Sequence, residues 1–97
     1  MNKILRIKII DIKGHCPVYK VGQVFHIKEG YILETTIKLC MHSLASIMPY
    51  YVALSKGISP QDLNLGEKNK AYIQCLDPVE KTGGGTVTFK IRIGEER

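Results

Sequence analysis

The chain has 97 residues, 44% of them hydrophobic and 24% charged, which is the make-up of one small globular domain spanning 1–97. Ile, Leu, Val and Phe are spread along most of its length, which excludes a disordered polymer. Fourteen Lys and Arg against nine Asp and Glu give a net charge of +5, dispersed with no run of five bases, so charge alone argues only weakly for nucleic acid.

The first segment, MNKILRIKIIDIK, is apolar, but Arg6, Lys8 and Asp11 interrupt every stretch that would serve as a signal-peptide core. No run approaches the length that crosses a bilayer. The expectation is a cytosolic protein without membrane contact. In that compartment Cys16, Cys40 and Cys75 are thiols or metal ligands rather than disulfides.

Residues 3–13 read as a strand, with Leu5, Ile7 and Ile9 alternating against Arg6, Lys8 and Ile10. Gly14 and Pro17 break it, and a second short strand is predicted at 22–28, ending at Glu29-Gly30. The segment YILETTIK is ambiguous: its β-branched residues favour extension, while Thr35 or Thr36 would cap a following helix. Periodicity then predicts a helix over 38–56. Cys40, Leu44, Ile47, Tyr51 and Leu54 form its inward stripe, edged by Met48 and Ser43, with His42, Ser46, Pro49 and Ala53 opposite. Pro49 removes one backbone hydrogen bond, so the helix kinks or divides there, and Gly57 stops it.

A serine cap, Pro60 and Asp62 predict a further turn or two of helix ending at Gly66. The third strand is AYIQCL and the fourth TVTFKIRI, joined by a loop containing DPVEKTGGG. In the fourth strand Val87, Phe89, Ile91 and Ile93 share one face, and Thr88, Lys90 and Arg92 the other. The predicted fold is therefore α+β: a small antiparallel sheet, in the order strand-strand-helix-strand-strand, packed against one kinked helix.

Three thiols are the most distinctive chemistry. On a helix beginning at residue 38, Cys40 and His42 point about 200° apart, so Cys40 is expected inside and His42 in solvent. The two share a site only if Cys40 precedes the first helical turn. Cys16 in a turn, Cys40 at a helix start and Cys75 at a strand end would bind zinc with His15 or His26, hold an iron–sulfur cluster, or respond as thiols to redox state, if they converged. The intervals carry no C-x-x-C signature. Asp77-Pro78 reads as a turn held by the aspartate side chain.

Three stretches, GHCPVYKVGQVFHI, LCMHSLASIMPYYVALSKG and IQCLDPVEKTGGGTVTFKIRI, together resemble a family of short, uncharacterised bacterial and archaeal proteins of about one hundred residues. Its pattern is a glycine–cysteine turn, a Leu-Cys helix start running to P-x-x-x-A-L-x-x-G, and a Cys-Pro-Asp-Pro-like stretch before the last strand. Gln23, Leu76 and the Met41-His42 pair depart from it. The resemblance implies that Cys16, Cys40 and Cys75 form a set and that Pro49, Gly57 and Asp77 are motif positions. It implies no activity.

Other chemistry is sparse. The glycines of KTGGGT precede a strand, whereas a phosphate loop precedes a helix, so they read as a hairpin loop. No Ser-His-Asp or paired-carboxylate motif stands out, and the chain reads as an accessory or interaction module rather than an enzyme, with a protein partner or a second copy of itself. A rival reading comes from Arg6, Lys8, Lys90 and Arg92, which make one basic sheet face if the first and last strands are neighbours. Tyr72 would add a stacking ring for nucleic acid.

Overall fold

Alternating apolar side chains on long strands at both ends of the chain organise the molecule, whose computed structural model describes residues 2–94. The elements are β1 (Ile4–Gly14), β2 (Val24–Lys28), β3 (Ile32–Glu34), α1 (Met41–Ile47), α2 (Tyr51–Ser55), β4 (Gly66–Glu67), β5 (Lys70–Gln74) and β6 (Gly85–Gly94). The strands form one antiparallel sheet in the order β3-β2-β1-β6-β5-β4. The fold is α+β, as expected. The sheet has six strands rather than four, and the single kinked helix is two separate short helices. Among the described residues no helix is long and apolar enough to cross a membrane.

The inner face carries the core. Leu5, Ile7 and Ile9 of β1, Phe25 and Ile27 of β2, Ala71 and Ile73 of β5, and Val87, Phe89 and Ile91 of β6 are all buried. Ile47 of α1 and Leu54 of α2 cover them from the other layer. Each fully buried aliphatic or aromatic side chain of this kind contributes about 1.5–3 kcal/mol. Phe89 stands at the centre, with Tyr19 and Phe25 meeting its ring edge-on at 5.6 and 6.5 Å.

A bulge between Ile9 and Asp11 shifts the register of β1 against β6. Strict alternation beyond Ile9 would turn Asp11 inward. The extra residue sets Asp11 opposite Thr88 and Ile12 opposite Val87, restoring the apolar side to the core. It also carries β1 on to Gly14, from which the 15–20 segment folds back over the inner face and buries Tyr19.

The helical region departs from a continuous 38–56 helix at both its start and its middle. Residues 38–40 lie outside the helix, and Cys40 is its extended N-cap residue at φ −91° and ψ 129°. Thr35 does not cap α1; its hydroxyl closes a local turn on Ile37. The break around Pro49 follows from its missing N–H, so α1 ends at Ile47 and α2 begins at Tyr51. Ser43 and Ser46 are buried beside Ile47, whereas one uninterrupted helix would turn Ser46 outward. Gly57, at φ +89°, closes α2 with paired bonds from Gly57 N to Leu54 O and Ile58 N to Ala53 O, a Schellman ending. Residues 60–63 form turns rather than the expected short helix, and β4 is a strand the sequence did not signal.

Candidate functional site

Three chain segments end at the same corner of the inner layer. The turn after β1 delivers Cys16, the start of α1 delivers Cys40, and the exit from β5 delivers Cys75. Together with His42, Leu76, Asp77, Pro78, Thr82 and Gly85 they line one cleft of about 320 Å3. Cys16 and Cys40 are half-buried; Cys75 is buried, as strand alternation with Ile73 predicts. All three are free thiols.

His42, exposed as expected, also lines this cleft, so it and Cys40 are not set on opposite sides as a continuous helix would set them. The 200° separation holds only when both residues sit within the helix. Cys40 is extended and precedes the first turn, so its side chain is free of that rotation. His15, the histidine expected beside the thiols, is exposed and does not line the cleft. His26 lies on the opposite side of the sheet, across from Arg6.

The thiols are held by a polar framework. The Tyr19 hydroxyl accepts from the Cys40 N–H at 2.9 Å and lies 2.6 Å from Ser43 Oγ, while Ser43 Oγ donates to the Cys40 carbonyl at 2.7 Å. With Ser43 as that donor, the Tyr19 O–H donates to Ser43. The result is a closed ring of bonds fixing the Cys40 backbone on both sides. Burial raises the Tyr19 pKa above its ordinary 10.0, against the lowering effect of Ser43 and the Cys40 N–H. The Tyr19 N–H also donates to Cys16 Sγ at 3.4 Å, which ties the first thiol to the same residue.

Asp77 fixes the far wall. Its Oδ1 accepts from Val79 N at 2.8 Å and from the Thr82 hydroxyl, while its carbonyl accepts from the Thr86 hydroxyl. The predicted aspartate turn is therefore present. The Thr82 bond, then the Val79 N–H, and more weakly the nearby charge of His42 hold the Asp77 pKa below its ordinary 3.8. The triple glycine serves close approach: a Cβ on Gly84 would strike Asp77 Oδ2, and one on Gly85 would lie 2.7–2.9 Å from the His15–Cys16 backbone. Pro49 is exposed in the break between the helices, away from the cleft.

Chemically, the cleft offers three sulfurs and an imidazole from segments distant in sequence. Among the described residues no three His, Cys, Asp or Glu side chains are already drawn together tightly enough to hold a metal ion.

The second predicted cluster lies on the outer face. β1 and β6 are neighbours, and the register sets Arg6 opposite Arg92 and Lys8 opposite Lys90. Tyr72 of β5 stands opposite Lys90 and is 39% exposed.

The sequence pointed to all three thiols and Asp77 but not to Tyr19, Ser43 or Thr82; it placed His42 in solvent, where the residue is exposed, but not at the rim of the thiol cleft. The missed signal was local: the turn that Thr35 closes on Ile37, followed by non-helical residues 38–40, moves the helix start past Cys40. Comparisons of the chain with protein-family models, with curated proteins and with solved structures gave no match.

Proposed function

We propose that the protein is a small accessory module whose working part is the thiol cleft, which takes up a thiophilic metal ion such as zinc, or an iron–sulfur cluster. Cys16, Cys40 and Cys75 are the sulfur donors, and His42 is the available fourth donor. The observation that carries this reading is that three thiols and one imidazole, from separate elements, line a single cleft. The family resemblance, which groups the same three cysteines, points in the same direction.

The donor set suits the chemistry. Thiolate and imidazole are the ligands of tetrahedral zinc, and three thiolates leave one position open on a cluster. Asp77 lines the same cleft as His42 and would keep a carboxylate close to a ligand histidine. The Tyr19–Ser43 ring holds the Cys40 backbone in place, so a bound ion would meet a prearranged main chain and only side chains would turn.

The test is anaerobic titration of the reduced protein with cobalt(II), read by sulfur-to-cobalt charge-transfer absorption and by native mass spectrometry. One equivalent should bind. Cys16→Ser, Cys40→Ser and Cys75→Ser should each abolish the absorption band, His42→Ala should weaken binding, and His15→Ala should leave it intact. Folded protein that binds neither cobalt nor zinc, and whose three thiols alkylate independently of one another, would end the proposal.

A further inference from the structure

The outer face of the sheet presents a different chemistry. An antiparallel sheet covered by helices on one side leaves its other side to solvent, and here that side is basic. Arg6 and Arg92 are directly opposed, Lys8 and Lys90 are directly opposed two residues along, and Lys70 lies across from Arg92. Arg6 and Arg92 are exposed, and the lysines are half-buried by their neighbours alone. None of these five cations makes an ion pair with a described residue; the pair on this face is Lys28 Nζ to Glu34 Oε1 at 2.9 Å, nearer the β3 edge.

Like charges placed directly opposite each other across strands are destabilising. Two such pairs stacked in a block make a surface that an anion would relieve. Its dimensions favour a linear polyanion. One row runs His26, Arg6, Arg92, Lys70 across four adjacent strands. At about 4.8 Å per strand it spans about 14 Å, room for a short run of phosphates. The parallel row holds Lys8, Lys90 and then Tyr72, whose partly exposed ring leans beside Gly66. Cations in line with an aromatic ring are what single strands use, phosphates on the charges and a base on the ring.

We propose that this outer face binds single-stranded nucleic acid running across the strands, with Arg6, Lys8, Lys90 and Arg92 on phosphates and Tyr72 stacked on a base. The site is independent of the thiol cleft, which lies in the inner layer.

The experiment is fluorescence anisotropy with a dye-labelled twelve-nucleotide single strand between 50 and 200 mM salt. Four phosphate contacts predict a slope of about −2.8 in log affinity against log salt, an affinity loss of about 50-fold over that range. Arg6→Gln with Lys90→Gln removes two contacts, which reduces the loss to about 7-fold. That double variant relieves repulsion, so its fold is expected to survive, and thermal unfolding checks it. Tyr72→Ala should weaken binding about tenfold without changing the slope. Cys16→Ser should bind the single strand normally, which separates this site from the metal proposal. Unchanged affinity in the folded double variant overturns the inference. So does tighter binding to a duplex of equal length, or to phosphatidylserine vesicles, than to the single strand.

Discussion

Replacing Tyr19 by Phe tests the framework that positions Cys40. The change keeps the ring, and with it the edge-on contact to Phe89 at 5.6 Å, and deletes only the hydroxyl. Tyr19 is 3% exposed, so little water reaches the vacated place. The Cys40 N–H then loses its acceptor and Ser43 loses a donor, although Ser43 still donates to the Cys40 carbonyl. A buried donor left without a partner costs about 1–3 kcal/mol. In a domain of this length 1 kcal/mol shifts Tm by about 4–8 °C, so the fall should be measurable by heat and by urea. A double-mutant cycle with Ser43→Ala should show coupling of about 0.5 kcal/mol or more, and the Cys40 thiol should alkylate faster in Tyr19→Phe. The same hydroxyl sets an alkaline limit. The folded pKa is raised above 10.0, so the stability contributed by the neutral phenol is complete below pH 10 and is lost as pH rises through the folded value. Tyr19→Phe should flatten that alkaline decline. Destabilisation under about 0.5 kcal/mol, with Cys40 reactivity unchanged, would refute the reasoning, because a lost cap or buried bond is expected to exceed it.

Three further outcomes follow from the geometry. Gly85→Ala places a methyl group 2.7–2.9 Å from the His15–Cys16 backbone, so it should displace the turn carrying Cys16 and raise that thiol's alkylation rate; an unaltered rate at full stability would count against the close approach. Asp77 has a lowered folded pKa, so the stability it contributes is present above pH 3.8 and is lost as pH falls through the lower folded value. An NMR titration of the Val79 amide should report an apparent pKa below 3.8, moving up in Thr82→Ala, and a transition at or above 3.8 in the unaltered protein would contradict the assignment. Lys8→Gln removes one opposed pair and should stabilise the free protein by about 0.2–1 kcal/mol at low salt. The gain should vanish near 1 M salt, where screening acts over about 3 Å, and a loss of stability would show that the lysine pair is not repulsive.

The strands were legible because their alternation is strict: Leu5, Ile7 and Ile9, and again Val87, Phe89 and Ile91, can satisfy only one buried face. That pattern also placed Arg6, Lys8, Lys90 and Arg92 together on the other side, subject to β1 and β6 being neighbours, which is a matter of topology. The helix failed at its start and in its middle. An apolar period of 3.6 continues through residues 38–40 and across Pro49, yet a non-helical lead-in ending at the extended Cys40 and one missing N–H divide it, and the rotation argument for Cys40 and His42 fails with it. The bulge after Ile9 and the two-residue β4 have too little sequence of their own to announce themselves. Convergence of the thiols depended on where three loops end, which spacing does not encode. Tyr19 was missed because a tyrosine two residues after a proline looks like any other loop aromatic until the Ser43 and Cys40 atoms it meets are known.

The central partnership of β1 with β6 sets a constraint on timing. Strands beginning at Ile4 and Gly85 lie side by side in the middle of the sheet, so one flank of β1 waits for a neighbour made some eighty positions later. Until Gly85–Gly94 clear the ribosome, the nascent chain holds β1 to β5 and the two short helices but lacks the strand that joins the two halves of the sheet. Closure of the core is thereby deferred until β6 is made, with the long loop closure that makes such topologies slow. Losing β6 would leave the greasy side of β1 open to any other unpaired strand, a route to aggregation rather than to a smaller working protein.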